Sequence, residues 1–251
     1  VKHVWDGFIE GEHHQLFAEK LERVAQGKCK RLIVNMPPRH TKSEFASVFF
    51  PSWMMGLNPD MKIMQTTHTA ELSARFGRKV RNLMDTDEYK QIFDKVSLSA
   101  DSKSAGRWET NKGGEYFAAG VGGAITGRGA DLLIIDDPHS EQDALSPNAL
   151  ESAYEWYTSG PRQRLQPGGI IVIVMTRWST LDLTEKLIKR MSEEHADQWE
   201  ILELPAVMED NTPLWPGYWK IEELESVKAS LPVAKWNAQY MQNPTSEEGA
   251  L

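Results

Sequence analysis

The sequence predicts an α/β fold in which a mainly parallel sheet carries helices on both faces. Short runs of branched apolar residues, typical of buried strands, alternate along the chain with stretches whose apolar residues recur at helical spacing. The strand-like runs are apolar almost throughout, as expected of parallel strands that are covered on both faces. The length of 251 residues suffices for one large α/β domain with a small appendage.

Composition narrows the class of protein further. The single cysteine, Cys29, excludes a disulfide framework and fits a reducing cytoplasm; because it lies between two lysines, we expect it at the surface. No apolar run reaches about 18 residues, so we expect a soluble chain with no membrane partner. The net charge of −8 argues against a protein that coats DNA, although a local basic patch would suffice for brief contacts.

The first elements of the chain form a recognisable unit. We predict a helix over residues 13–26, a buried strand over 31–35, a turn with two prolines over 36–41, and a second helix from Ser43 to Gly56. A strand, a tight loop, Lys-Ser and a helix follow one another in phosphate-binding loops. Backbone N–H groups and the helix N-terminus hold phosphates there, the lysine reaches the β- and γ-phosphates, and the serine hydroxyl binds Mg²⁺.

The loop departs from the common GxxxxGKS pattern. Met36 and Thr41 stand where the two glycines are usual, directly before Lys42 and Ser43. From this motif alone, an ordinary surface loop with a solvated lysine stays equally open.

The next stretch contains several further elements. We predict a strand over 61–67, a helix over 70–84, an exposed loop or hairpin over 97–114 and a strand over 115–120. The helix carries basic side chains that suit a contact with DNA phosphates, or equally a solvated face: Arg75, Arg78, Lys79 and Arg81.

A second motif lies at residues 130–139. Five apolar residues end in two adjacent acids, Asp136 and Asp137, as in the Walker B pattern, where a buried parallel strand delivers a carboxylate to Mg²⁺ beside the phosphate loop. A strand followed by an Asp-Asp-Pro turn is the alternative. Because one or two strands intervene between the two motifs, we predict a RecA-like P-loop ATPase of the ASCE type.

The rest of the chain continues the alternation. We predict a helix at 146–160, a strand at 169–175, a helix at 180–194, a strand at 199–204, and closing helices at 221–230 and 232–241. We therefore expect an ATPase core over residues 1–204 and a helical extension over 205–244. Residues 245–251 are linker-like.

Four segments in order resemble the ATPase part of the large terminase subunit of tailed bacteriophages, the motor that packages DNA: PPRHTKSE, TGRGADLLIIDDP, VMTRW and QYMQNPTSEEGAL. The resemblance implies ATP and Mg²⁺ as cofactors, and double-stranded DNA as the cargo moved into a capsid. It also implies a ring of copies, expected to be a pentamer, with the portal protein and the small terminase subunit as partners. The implied location is the cytoplasm of the infected bacterium, and a nuclease domain would follow the linker.

Chemistry and resemblance together assign the nucleotide-binding residues. The loop set is Pro38, Arg39, His40, Thr41, Lys42, Ser43 and Glu44. Ser43 and Asp136 would hold the metal. The family's segment before the loop strand touches adenine, and His14 and Gln15 are the candidates here, since an amide offers a donor and an acceptor to a base edge; a solvated helix end is the alternative.

Catalytic roles follow in the same way. Asp137, at the position of the family's glutamate, would orient and deprotonate the attacking water, with Glu141 as the alternative. Arg39 would reach the γ-phosphate within one subunit. Arg128, in the glycine-rich stretch 121–129, is predicted to be an arginine finger supplied to a neighbouring subunit; a salt bridge to Asp131 or Glu115 is the alternative.

The resemblance alone assigns Thr176 and Arg177 to relay the state of the γ-phosphate. Two other functions stay open. One is a helicase-like translocase, which normally has a second RecA-like core, and the other is a scaffold that binds ATP without cleaving it.

Overall fold

The computed structural model describes residues 1–101, 104–125 and 127–245. The fold is mixed α/β with a seven-stranded, mostly parallel sheet, which confirms the predicted class. The strands are β1 (Arg31–Asn35), β2 (Lys62–Thr67), β3 (Arg107–Glu109), β4 (Glu115–Gly120), β5 (Ala130–Asp136), β6 (Leu165–Met175) and β7 (Glu200–Glu203). The α-helices are α1 (Glu12–Ala25), α2 (Lys42–Glu44), α3 (Phe50–Leu57), α4 (Ala70–Met84), α5 (Asp87–Ile92), α6 (Pro147–Ser159), α7 (Leu183–Arg190), α8 (Ile221–Ser230) and α9 (Val233–Gln239).

The strand order is β3-β4-β2-β5-β6-β1-β7. One strand, β6, therefore lies between the loop strand β1 and the acid-bearing strand β5, which is the arrangement expected of the RecA-like class. Strand β2 pairs in parallel with both β4 and β5, and β1 pairs in parallel with β7. The short edge strand β3 pairs antiparallel to β4.

The parallel pairing brings several strand ends to one edge. Thr67 at the end of β2 is opposite Gly120 at the end of β4, and Thr66 is opposite Ile135, one residue before Asp136. In open α/β sheets, ligands bind outside the carboxyl ends of the strands. The acids after β5 thus lie at the edge where such sites are found.

Two compact units can be distinguished by the density of contacts along the chain. The first comprises residues 1–8, 43–138 and 153–173, and the second comprises 9–42, 139–152 and 174 onward. The predicted boundary after residue 204 stays a prediction. Within the predicted extension, α8 and α9 contribute to a small apolar core built on Ala206, Leu224 and Trp236. Of the predicted linker, residues 246–251 lie outside the described part of the chain.

The helix that follows the predicted phosphate loop is not regular. A π-helical segment, Phe45–Phe49, separates α2 from α3, and the N–H of Phe50 bonds to the carbonyl of Phe45. Pro51 has no N–H to donate to the carbonyl of Ser47, so a regular α-helical bond is missing at this point. Such π segments are frequent at functional sites.

Other boundaries differ from the sequence prediction. Helix α7 begins at Leu183 and not at residue 180, because the Asp182 side chain accepts the N–H of Glu185 and caps it. Helix α5 was not predicted. Cys29 is buried with 4% exposure, so the expected surface position was wrong, and burial raises the pKa of its thiol.

None of the helices in the described ranges has both the length and the apolar character that crossing a membrane requires.

Candidate active site

The acid that ends β5 is held by two serine hydroxyls. Asp136 is 1% exposed, and its two carboxylate oxygens accept hydrogen bonds from Ser43 Oγ at 3.0 Å and from Ser47 Oγ at 2.7 Å. Ser47 in turn accepts from Gln65 Nε2 on β2 at 3.0 Å. The structure thus joins the serine of the loop after β1 to the acid that ends β5, and these residues lie 93 positions apart in sequence.

Ser47 was not predicted as a site residue. The only sequence signal is its spacing of four residues from Ser43, which places both hydroxyls on one side of a helix. The buried carboxylate needs such donors, because an ionised group removed from water is stabilised only by partners that satisfy it.

The donor set suits Mg²⁺. The hydroxyl of Ser43 and the carboxylate of Asp136 are hard oxygen donors, the type that Mg²⁺ prefers. The described residues contain no cluster of three His, Cys, Asp or Glu side chains suited to a metal. Mg²⁺ is usually bound by one or two carboxylates together with substrate phosphates and waters.

Asp137, the second acid, is held through its backbone. Its φ is +42°, an uncommon conformation for a residue with a side chain, and it is half-buried. Its carbonyl accepts the backbone N–H of His68 at 3.2 Å and lies 3.1 Å from His68 Nδ1. Sequence reasoning missed His68, whose role depends on the pairing of β2 with β5.

Glu141, the alternative general base, lies in a different setting. Its side chain is 69% exposed and pairs with Lys235 Nζ at 3.1 Å. A half-buried acid directly after β5 suits proton abstraction better than an exposed one held by a lysine.

The loop predicted to bind phosphate follows β1 and is hydrogen-bonded to the end of β6. The N–H of Met36 donates to the carbonyl of Met175 at 3.2 Å, and Thr176 Oγ1 donates to the carbonyl of Met36 at 3.1 Å. Lys42, at the end of the loop, is only 7% exposed. The predicted relay residue Thr176 therefore touches the backbone at the start of the loop.

Two loop residues have left-handed backbones. Arg39 has φ +62° and Thr41 has φ +67°. Thr41 thus adopts the conformation for which glycine is common at this position, and for a β-branched residue that costs about 1–2 kcal/mol. Arg39 is exposed, whereas Pro38, Ser43 and Glu44 are partly exposed.

A cluster of buried histidines surrounds the loop. His40 Nδ1 lies 2.8 Å from the carbonyl of Pro38, and His14 Nε2 lies 2.8 Å from Thr41 Oγ1. Burial lowers the pKa of His13 to about 3 and those of His14 and His40 to about 4. All three are therefore neutral at pH 7.

Aromatic rings enclose this cluster. His14 meets Trp215 edge-on with centroids 5.0 Å apart, and His40 stacks on Trp219 at 5.9 Å. His14, the second adenine candidate, therefore faces the loop and not solvent. Gln15 is exposed and lines an open groove of about 980 Å³ together with residues near Leu204 and Leu214.

Arg128 is engaged within its own chain. Its guanidinium pairs with Glu115 and lies over the Phe117 ring, 4.3 Å from the centroid. Its side chain is 26% exposed. This is the salt bridge that the sequence left as the alternative to a finger acting on a neighbour.

Arg177 occupies the opposite kind of environment. Its side chain is 4% exposed, and it contacts Asp182 Oδ2 at 2.9 Å and Glu185 Oε2 at 2.7 Å. Its backbone N–H donates to Gln242 Oε1 at 3.1 Å. The predicted relay residue is thus part of a buried ionic network between the end of β6 and the start of α7.

No protein-family model and no curated protein matches the sequence. Among solved structures, the fold is similar to a mutant form of the ATPase domain of the Thermus phage P74-26 large terminase, with a TM-score of 0.55, 13% identity, and coverage of 90% of this chain and 93% of that one. A second structure of that ATPase domain has a TM-score of 0.52 and 14% identity, with 86% and 89% covered.

The large terminase of the thermophilic bacteriophage D6E, in complex with ADP, is also similar. Its TM-score is 0.54 with 13% identity, and 89% of this chain and 52% of that chain are covered. The present chain thus spans about half the length of the D6E protein. At these identities the likeness is one of fold.

Proposed function

We propose that this chain is the ATP-hydrolysing motor domain of a viral large terminase, and that it couples hydrolysis to the movement of double-stranded DNA into a capsid. The observation that carries the proposal is the hydrogen bond from Ser43 to Asp136. It joins the two motifs that a Mg²⁺–nucleotide site requires, at the edge of a RecA-like sheet. The fold's likeness to terminase ATPase domains, and to a terminase solved with ADP, supports the same interpretation.

Binding would depend on the loop and the residues next to it. Lys42 directly precedes Ser43 in the chain, so its ammonium would neutralise the β- and γ-phosphates while loop N–H groups hold the phosphate oxygens. Ser43 and Asp136 would hold Mg²⁺, which neutralises charge on the β- and γ-oxygens when bound. Gln15, exposed at the first turn of α1, would contact the adenine edge.

Hydrolysis would need one further group. Asp137 would orient a water molecule in line with the γ-phosphate and accept its proton, releasing ADP and phosphate. Its carbonyl is fixed by His68, so the carboxylate projects from a restrained backbone. Arg39, exposed in the loop, would add positive charge at the γ-phosphate. In phosphoryl transfer, positioning and charge stabilisation supply most of the catalysis.

Assembly would complete the site. Arg128 would leave Glu115 and enter the site of a neighbouring copy in a ring, expected to be a pentamer. Double-stranded DNA, the portal protein and the small terminase subunit would be the partners in the host cytoplasm. Thr176 would pass movement of the loop to β6, and Arg177 would pass it on to α7.

The function is tested by phosphate release from the purified chain with ATP and Mg²⁺. We expect Lys42→Ala to bind ATP more weakly and to lose hydrolysis, because the phosphates lose their main cation. Lys62→Ala is the matched control, since Lys62 is an exposed lysine on β2, and it should behave as the wild type.

Two results would contradict the proposal. Wild-type turnover in Lys42→Ala would remove the phosphate-loop assignment. A wild-type chain that binds ATP but releases no phosphate, even at high concentration and with DNA present, would indicate a nucleotide-binding scaffold.

A further inference from the structure

Thr41 is the least expected residue of the loop. With φ +67°, it holds a left-handed conformation that a glycine would adopt without strain. A β-branched side chain does not stay in that region unless neighbouring groups hold it there. A neighbouring group must therefore hold Thr41 in this conformation.

The hydrogen bonds around Thr41 run in one direction. Thr41 Oγ1 lies 2.6 Å from the carbonyl of His40, and a carbonyl only accepts, so the single hydroxyl hydrogen is donated there. His14 Nε2, 2.8 Å from the same oxygen, must then carry the hydrogen of their contact. His14 Nδ1 is left unprotonated, and it accepts the N–H of Gly11 at 2.8 Å.

The anchor of this chain of bonds is rigid. His14 lies in the first turn of α1, is 3% exposed, and packs between His13 at 3.8 Å and Trp215 at 5.0 Å between ring centroids. A side chain enclosed in this way has one orientation. Its Nε2–H therefore has a fixed direction, and the hydroxyl of Thr41 accepts its hydrogen bond.

We propose that His14 is a positioning residue, which locks Thr41 in the left-handed conformation and so sets the loop that presents Lys42 to the phosphates. Phosphate loops commonly have a glycine here, which adopts the left-handed conformation without help. In this chain the hydrogen bond from His14 on α1 to Thr41, here called the brace, stabilises that conformation instead. The inference rests on the proposed function only for the identity of the ligand. The brace itself can be tested without nucleotide.

The test is a double-mutant cycle with His14→Asn and Thr41→Gly. Asparagine keeps an oxygen near the position of Nδ1, so the bond from Gly11 can persist, but it is too short to reach Thr41. We expect His14→Asn to raise the KM for ATP about 3- to 10-fold, the equivalent of one lost hydrogen bond, with a smaller change in kcat. In the Thr41→Gly background, the same substitution should change KM less than about twofold.

Two further variants sharpen the cycle. His14→Gln places an amide nitrogen near the position of Nε2 and should recover much of the wild-type KM. Thr41→Ser keeps the hydroxyl and should remain sensitive to His14→Asn. A general loss of folding would affect all backgrounds alike and would not produce this pattern.

The same cycle is read without nucleotide, from the urea midpoints of unfolding. His14→Asn should lower the midpoint in the Thr41 chain and change it little in the Thr41→Gly chain. Equal effects of His14→Asn in both backgrounds, on KM and on the midpoint, would overturn the proposal. Absence of any ATP binding by the wild type would instead contradict the proposed function, and the unfolding cycle would still decide on the brace.

Discussion

Two arginines to which the sequence analysis assigns a role in ATP hydrolysis are held in very different ways. Arg177 has a side chain that is 4% exposed and bonds to two carboxylates, one of them the fully buried Asp182. Arg128 has a side chain that is 26% exposed and meets one carboxylate, Glu115, and one aromatic face. Arg128 precedes strand β5 and was predicted to act in catalysis. Arg177 follows strand β6 and was predicted to act in coupling.

The difference lies in the cost of moving each side chain. Partly exposed ion pairs contribute about 0–1 kcal/mol, so Arg128 can exchange Glu115 for another anion at small cost. Breaking a buried pair by removing one partner typically costs about 3–5 kcal/mol. Arg128 is therefore suited to a role that requires movement, such as completing a neighbour's site. Arg177 is suited to transmit force through a fixed connection, and not to swing.

The largest effect is expected for Arg128→Ala. If Arg128 acts as an arginine finger in trans, its loss should lower turnover of the assembled protein by about 10³–10⁵-fold. Mixing Arg128→Ala with Lys42→Ala should restore activity, because each variant supplies what the other lacks. Glu115→Gln is the control: it frees Arg128 without removing it and should leave turnover near that of the wild type.

Two results together would contradict the role of Arg128 in a neighbouring subunit. Turnover that does not depend on protein concentration, together with no rescue in the mixture, would leave only the local ion pair with Glu115.

The next largest effect is expected for Arg177→Ala. Removing the guanidinium leaves the carboxylate of Asp182 buried with its main cation gone, so the free energy of unfolding should fall by about 3–5 kcal/mol. Urea unfolding measures it. Arg190→Ala removes an exposed arginine that pairs with Glu193 and should cost at most about 1 kcal/mol. Equal losses for the two variants would show that Arg177 is not the fixed member of the comparison.

A smaller effect distinguishes a buried arginine that is paired with carboxylates from a buried histidine that is neutral. Arg177 keeps its charge because carboxylates face it, whereas burial lowers the pKa of His40 from 6.5 to about 4 and keeps it neutral. Below pH 6.5, His40 therefore binds a proton in the unfolded chain, whereas in the folded chain it stays neutral down to about pH 4. Stability should fall as the pH drops through this window, by up to about 1.4 kcal/mol per pH unit for His40.

Urea unfolding at several pH values tests that slope. His40→Asn removes one of the three titrating rings and should make the slope shallower, while His13 and His14 still contribute to it. His195→Asn, at an exposed histidine, is the matched control. An unchanged slope in His40→Asn would show that His40 is not kept neutral by folding.

Much of the fold could be predicted because its signals are local. The strands β1 and β4 and the helices α4 and α8 begin and end where the sequence places them, since apolar runs and periodic faces define them. Helix α5 was missed because it has only six residues, and its clearest signal is the cap Thr86. The π segment was missed because a helical pattern of apolar residues is the same on both sides of it.

The residues of the candidate site also differ in whether a local sequence signal predicts them. Lys42, Ser43 and Asp136 lie in contiguous motifs and could be named from them. Ser47 and His68 acquire their roles only when β5 lies beside β2 and the helix after the loop, and no local pattern carries that information. Cys29 was misplaced because its charged neighbours are exposed while its own side chain is buried.

We propose above that this chain cleaves ATP at a site where Asp137 is the general base. The most direct measurement determines ATP binding and phosphate release on the same samples of wild type, Asp137→Asn and Glu141→Gln. We expect Asp137→Asn to bind Mg²⁺–ATP as the wild type does but to cleave it about 10²–10⁴-fold more slowly, while Glu141→Gln cleaves normally. Normal cleavage by Asp137→Asn, with or without a loss in Glu141→Gln, would contradict it.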